Sequence, residues 1–458
     1  MAAYMEMTQG TPTSTRKFTY SGWIKLMSPN SSADEETIFS IGASGDSYYN
    51  GFRFKTTAKL HINFDSTGAG GGSTCELITT AVYKDPAAWY HIVLACDTTQ
   101  VASGDRLRLY VNGEEVTAFD TEVQPALNHD LGFLVSGDKI VLGRQVSGSS
   151  QYFNGNMSHV QFVDGLQLGP TEFGLEDSAT GIWKIKTGCY ATPGTNGFCL
   201  KMEDRTNLDL DSSSNAHTFT TGGTATPTKD NPSNNYATMN SVQPAHATIT
   251  STFACGNTKI SGNNAAWQRT WSTMGITKGK WWHEVYIDTA GNSRMGWDSI
   301  DFINTGTDTS YYSGITIQPT GSIAGGISGT AAYSPNNVAS SGTFVTGDYL
   351  GFGINMDDET FTMYKNGSAV SGLNPYDWSG ISNNSCLIAN GYFVGPTMNF
   401  ESASGDGSIC SFNFGNGVFG TTLLTGTTYT DSAGEGIFKY APPTDYLAYC
   451  SNNLATYG

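Results

Sequence analysis

Two stretches of the chain carry the same hairpin signal, and they constrain the fold more than any other feature. In the first, Arg106-Leu107-Arg108-Leu109-Tyr110-Val111 alternates polar and apolar residues and runs into Asn112-Gly113. Asn-Gly best supplies the positive φ angles of a type I′ turn, so the run reads as a strand entering a two-residue hairpin. The strand before it is Trp89 to Cys96, and Asp97 to Asp105 forms an acidic turn between the two. In the second stretch, Asp348 to Asp357 leads into Phe361-Thr362-Met363-Tyr364-Lys365-Asn366-Gly367. Both hairpins read Tyr-x-Asn-Gly. The expected fold class is all-β, with two antiparallel β-sandwiches built on one shared local device.

Composition agrees with that class. A chain of 458 residues calls for two domains of about 200 residues each. Glycine is abundant at 55 residues, aromatics reach 12% and charged residues only 14%, which is neither a disordered nor a helical profile. The formal net charge of −17 opposes binding to nucleic-acid phosphates, so no nucleic-acid partner is expected. The cysteines at 75, 96, 189, 199, 255, 386, 410 and 450 form no Cys-x-x-Cys and no Cys/His pair spacing, so no zinc site is expected. Cys189 and Cys199 are the only close pair; a disulfide stays open there, but free, mostly buried thiols are favoured. Met1 to Met7 has neither the basic nor the apolar region of a signal peptide. No segment approaches the roughly 20 apolar residues of a membrane span, so membrane insertion is not expected.

Short strands recur along the first half: Lys17 to Lys25, Glu36 to Ile41, Leu60 to Phe64, Lys139 to Arg144 and Tyr152 to Phe162. The Gly68 to Gly72 loop lacks the Gly-Lys-Ser/Thr of a phosphate cradle and reads as a hairpin loop. In order, Ser21-Gly22-Trp23-Ile24-Lys25, Trp89-Tyr90-His91-Ile92-Val93, Leu109-Tyr110-Val111-Asn112-Gly113, Ile140-Val141-Leu142-Gly143-Arg144 and Phe153 to Val160 resemble a concanavalin A-like jelly roll of the laminin-G-like type. That resemblance covers about residues 4 to 165.

Phe173-Gly174, Thr180 to Lys184 and Gly194 to Met202 are similar to a set of virion-associated proteins of marine tailed phages, cyanobacterial phages among them. Asn231 to Met239 and Gly434 to Leu454 resemble the same set. Gly279 to Ile287, Met295 to Asp298, Gly347 to Asn355, Phe361 to Gly367 and Ser411 to Gly415 resemble a SPRY (B30.2) sandwich. The resulting domain plan is a laminin-G-like sandwich at 1–202 and an extended Ser/Asn/Thr/Pro-rich linker at 203–241. A SPRY-like sandwich follows at 242–420, then a C-terminal strap at 421–458, laid on a surface that is the chain's own or a partner's.

Chemistry is sparser. A glycosidase needs two carboxylates roughly 5 to 9 Å apart in a groove. The acidic runs Asp34-Glu35-Glu36, Glu114-Glu115 and Asp357-Asp358-Glu359 fall in or beside turns and read as solvated. Glu284 sits in a strand without an acidic neighbour. The seven histidines are scattered, and neither a Ser-His-Asp arrangement nor a Gly-x-Ser-x-Gly elbow emerges. Trp281, Trp282 and Trp297 read as core. Trp267, Trp271 and Trp378, in turn-rich sequence, are the candidates for stacking on sugar rings, with Tyr48, Tyr49 and Asp65 in the first domain. No catalytic residue, metal or cofactor is expected.

The resemblance therefore implies a non-enzymatic phage virion surface protein, made in the host bacterial cytoplasm, that decorates capsid or tail or adheres to host glycans. Its implied partners are other virion proteins and host-surface polysaccharide, with a homo-oligomer open. The alternatives are a glycan hydrolase on the concanavalin A-like fold and a soluble lectin with no virion role.

Overall fold

The computed structural model describes residues 3–27, 35–43, 50–64, 75–148, 150–242, 251–262, 268–291, 293–299, 315–317, 323–325, 343–377, 394–400 and 407–458. The chain divides into two compact units, Met1–Pro227 and Thr228–Gly458. Both are built from antiparallel sheets, as the alternating sequence requires.

In the first unit, an eight-stranded sheet runs in the order Phe119–Val123, Cys75–Val82, Lys59–Phe64, Gly51–Phe54, Glu36–Gly42, Lys139–Leu142, Tyr4–Thr8 and Thr220–Gly222. A six-stranded sheet runs Phe198–Leu200, Gly155–Asp164, Lys17–Leu26, Trp89–Asp97, Leu107–Val111 and Glu114–Glu115. Successive side chains of a strand point to opposite faces. Phe18, Tyr20, Ile24 and Leu26 therefore join Ile92, Leu94, Phe39, Phe52, Ile62 and Phe162 in one core. Each such side chain, fully buried, contributes about 1.5–3 kcal/mol of transfer free energy.

The opposite face of the six-stranded sheet is also covered. Its Val93 and Val163 are buried under Phe173, with Leu168 and Tyr190 alongside. The covering chain includes a small hairpin, Gly174–Glu176 paired with Trp183–Ile185. Its far end is tied by a Cys189–Cys199 disulfide, the two Cα atoms 5.8 Å apart. That overturns the expectation of free thiols for these two alone: the cover folds back beside Phe198–Leu200, a juxtaposition that linear spacing does not encode. Cys75, Cys96, Cys410 and Cys450 are buried and Cys255 is half-buried; of these, Cys96, Cys255 and Cys450 are free thiols.

The stretch expected as an extended linker is divided between the units. Phe219 enters the first core, and Thr220–Gly222 pairs with Tyr4 to Glu6. The Asp211 carboxylate accepts hydrogen bonds from the backbone of Cys199, Ser213 and His217. Tyr236, Ala237 and Met239 are buried in the second unit, where the Ala237 N–H donates to the Tyr449 carbonyl at 2.9 Å. Polar composition correctly signals turns here, but an apolar residue every few positions is enough to bury such a chain.

In the second unit the longer sheet runs Thr252–Ala254, Lys259–Ser261, Ile409–Asn413, Lys280–Thr289, Tyr349–Asn355, Thr360–Lys365 and Ser368–Ala369. Opposite it lies a five-stranded sheet, Gln268–Trp271, Val394–Phe400, Ser293–Ser299, Ile315–Ile317 and Ile323–Gly325. Between them Trp297, Phe352, Phe412 and Phe414 pack around the fully buried His283, with Trp281 in the same core. The C-terminal strap packs on its own unit, which removes it as a segment laid on a partner. Leu447–Ala448 pairs parallel with Trp281 and Trp282, and Phe438, Tyr446, Ala448 and Cys450 cluster with Trp282 and Tyr236.

The units share a strand order. Gly155–Asp164, Lys17–Leu26, Trp89–Asp97, Leu107–Val111 and Glu114–Glu115 correspond to Ile409–Asn413, Lys280–Thr289, Tyr349–Asn355, Thr360–Lys365 and Ser368–Ala369. In each, the chain that follows the first-named strand returns to cover the sheet's outer face.

Candidate functional site

The eight-stranded sheet of the first unit turns a polar row outward. Phe52 and Phe54 point into the core, so Arg53 between them points out; Leu60 and Ile62 do the same for His61. Thr37, Arg53 and His61 are consecutive cross-strand partners. The Arg53 guanidinium donates to the Glu35 carboxylate. His61 Nε2 lies 2.8 Å from Glu76 Oε1. Both carboxylates remain in contact with solvent, with side-chain exposures of 26% and 27%. Further along the sheet Glu6 binds Lys139 and Arg144, and the Arg144 guanidinium lies 3.8 Å from the centre of the Tyr4 ring.

Burial, together with the nearby Arg53 and Lys55 charges, drives the His61 pKa down to about 3, so the ring is neutral at pH 7. Glu76 can only accept, which puts the proton on Nε2 and leaves a lone pair on Nδ1. That Nδ1 is buried and has no partner among the described residues. The row therefore offers two partly exposed carboxylates, held in place by Arg53 and His61, which are themselves buried at 8% and 4% exposure. Such groups suit hydroxyls, which donate as well as accept. Glu35 and Glu6 are each engaged by a cation, and Glu76 by the neutral His61 ring.

Of the residues singled out in the sequence, Trp271 is described, and it is corrected. It ends the strand Gln268–Trp271, pairs with Thr397 and is only 4% exposed, so it offers no stacking face to solvent. Its turn-rich neighbours masked a strand whose alternation points this side chain inward. Tyr48, Tyr49, Asp65, Trp267 and Trp378 lie outside the described residues. The acidic run at 34–36 is also corrected in part. Glu36 is buried at the start of its strand, and burial pushes its carboxyl up to about 7.

Two buried polar groups lie apart from this row. Trp183 Nε1, which only donates, lies 2.9 Å from His91 Nδ1. His91 Nε2 must then carry the proton, and at 2.8 Å it donates to Ser21 Oγ. An imidazole in that tautomer takes no proton from Ser21. Glu284 is fully buried beneath the strap and accepts from Lys439 N at 2.8 Å, Tyr440 N at 2.9 Å and Asn413 Nδ2 at 3.1 Å. Burial pushes its carboxyl up to about 7 while these three donors pull it back. Among the described residues no group of three His, Cys, Asp or Glu is placed to hold a metal ion. No helix there is long and apolar enough to cross a membrane.

Residues 2–169 match the family described as the concanavalin A-like lectin/glucanases superfamily. The match ends where the covering segment begins. Among solved structures, the SPRY domain of human HERC1 is similar at 14% identity and a TM-score of 0.24, over 34% of this chain and 87% of that one. A heptameric SAP-like pentraxin from Limulus polyphemus is similar at 17% identity and a TM-score of 0.27, over 36% of this chain and 72% of that one. A search of the curated proteins returned no match.

Proposed function

We propose that this chain is a non-enzymatic, glycan-binding protein of a virion surface, which decorates capsid or tail and adheres to host polysaccharide. The observation that carries the glycan part is the outward row Glu35–Arg53–His61–Glu76 on a sandwich matching the concanavalin A-like lectin/glucanases description. The other sheet of that sandwich has its outer face closed by the chain's own cover. The virion part rests on the resemblance of 173–202, 231–240 and 434–454 to marine tailed-phage proteins. In both units these segments supply the covers, which fits a protein whose exposed sheets are kept compact. Its partners are other virion proteins and surface polysaccharide, and a homo-oligomer accords with this role. A net charge of −17 argues against nucleic acid.

A glycan array on the full chain, repeated with Arg53→Ala and His61→Ala, tests the binding. Loss of a specific signal in both variants supports it, and a signal that both retain removes this face from the reading. Electron microscopy of the parent particle tests the virion role, since a free lectin leaves no density there. One observation favours the hydrolase reading: the buried Glu36, whose carboxyl titrates near 7, has the protonation state of a general acid. Release of reducing sugar that Glu36→Gln abolishes would establish that alternative.

A further inference from the structure

We propose that Tyr286, Tyr349 and Tyr440 form a saccharide-stacking platform on the second unit, completed by the strap through Glu284. Tyr286 and Tyr349 are direct cross-strand partners on the outer face, their rings 4.7 Å apart. Tyr440 comes from the strap, and its ring stands 6.0 Å from that of Tyr349 at 73°. All three are partly exposed, and none of the three phenol hydroxyls meets a partner among the described residues. Phe419, buried, backs Tyr349 edge-on at 5.2 Å.

The strap is held there by the buried Glu284, one carboxylate bonding the backbone N–H of both Lys439 and Tyr440. The Tyr440 ring rests on the Asn366–Gly367 turn, where a Cβ on Gly367 would fall 2.5 Å from it and φ is +80°. Glu284 is thus a positioning residue. Without it, neither the ring nor the Lys439 ammonium, which lies 5.8 Å from the centre of the Tyr349 ring, has a reason to stay over the sheet.

The rim narrows the ligand. Asp288, two residues beyond Tyr286, is half-buried and bonded by Lys259 at 2.5 Å and Ser411 Oγ at 2.7 Å. The site therefore combines aromatic faces, free hydroxyls and a charge pair that is neutral overall. A neutral pyranose supplies apolar C–H faces for the rings and hydroxyls for the rim. An apolar peptide would leave the phenol hydroxyls unpaired.

The first unit gives an internal reference. Trp23, His91 and Trp183 occupy the corresponding positions: Trp23 pairs with His91 across the strands, and Trp183 lies on the Asn112–Gly113 turn. There the centroid distances are again 4.7 and 6.0 Å, but the rings stack nearly parallel, and Trp183 Nε1 donates to His91 Nδ1. The second unit keeps the same positions and replaces a stack closed by the Trp183–His91 bond with three partly exposed phenols.

This goes beyond the reading of the first unit and needs no binding there. The test is saturation-transfer NMR and calorimetry on the full chain with cellohexaose, maltohexaose and mannohexaose. We expect saturation of the ring C–H protons of at least one of them. Tyr349→Ala and Tyr440→Ala should weaken its affinity at least roughly tenfold. Binding that Tyr349→Ala and Tyr440→Ala remove belongs to this platform, and binding that only Arg53→Ala removes belongs to the first unit, so the two readings fail separately. Glu284→Gln should weaken it while raising amide exchange at 439–440, a change that loss of a bare contact would not produce. If the alanine variants do not fold, Tyr349→Phe and Tyr440→Phe decide, since both keep the rings; a several-fold loss supports the platform. No saturation with any of the three sugars, affinity that survives these substitutions, or binding of a proline-rich peptide in place of sugars would overturn the proposal.

Discussion

The two units solve the same geometric problem with opposite chemistry. Each has a central strand pair whose outer face meets an Asn-Gly turn and an aromatic side chain from the returning cover. The turns are built alike. Asn112 N donates to the His91 carbonyl, and its Oδ1 accepts from His91 N, both at 2.8 Å. Asn366 repeats this with Tyr349 at 2.8 and 2.9 Å. In the first unit the ring above the turn is an indole whose N–H is spent on His91, so the trio is inert. In the second it is a phenol whose hydroxyl is unspent. A shared scaffold therefore says where a surface can be closed, and the side chains decide whether it is.

The largest effect should come from removing the strap's anchor. Glu284→Ala strands three donors beneath the strap, and we expect a loss of about 3 kcal/mol or more in the second unit. Amide exchange followed by unit should show the first unit unchanged. Next, Trp183→Ala should cost the first unit about 2–3 kcal/mol, through lost packing over Gly113 and Gly174 and a His91 acceptor left unpaired. Tyr440→Ala should cost the second unit clearly less, because its ring is not bonded into the sheet. Equal losses in thermal melting would break the contrast between closed and open trios. Cys189→Ser should then lower the first unit by about 2 kcal/mol, since the bridge spans 10 residues, and leave the second alone.

The smallest expected effect is a difference in pH dependence. His61 and His91 of the first unit and His283 of the second titrate near 3 because burial disfavours their charged form. Between pH 6.5 and 3 the unfolded chain binds protons that these folded rings refuse, so each histidine withdraws stability as pH falls, by about 1.4 kcal/mol per pH unit. Glu36 and Glu284, raised to about 7, act in the opposite sense. Between pH 7 and 4.5 the folded carboxyl holds a proton that the unfolded one releases, so stability is gained as pH falls. From pH 6.5 to 4.5, His61 and His91, joined by His159, whose burial also lowers it, outweigh Glu36 and leave the first unit net acid-sensitive. One against one leaves the second nearly flat. Exchange protection measured by unit at pH 6.5, 5.5 and 4.5 checks this, and parallel slopes would refute the assignment.

Much of the fold was legible in the sequence. The Tyr-x-Asn-Gly repeats marked the two hairpins because glycine and asparagine tolerate positive φ where other residues do not. Period-two alternation placed Phe18, Tyr20, Ile24 and Leu26 on one face. The site was far less legible. Arg53 and His61 sit in runs too short to advertise themselves, and their pairing spans strands whose register the sequence does not state. Tyr286, Tyr349 and Tyr440 are 63 and 91 positions apart by their numbering, so no local pattern unites them. Turn-rich surroundings do not mark a binding tryptophan either, since Trp271 is an inward strand residue.

By itself, then, the sequence determined the class, the two sandwiches, the hairpin turns and the aromatic cores, because each of these follows from local φ preferences and side-chain alternation. Only the tertiary structure decided that 203–241 is shared out between the units and that Cys189 meets Cys199. It also decided that Glu284 is a buried clasp and that three distant tyrosines stand together. These outcomes depend on where a returning segment lands, which is set by the burial of Phe173 and Phe438 against sheets formed from residues far away in the chain.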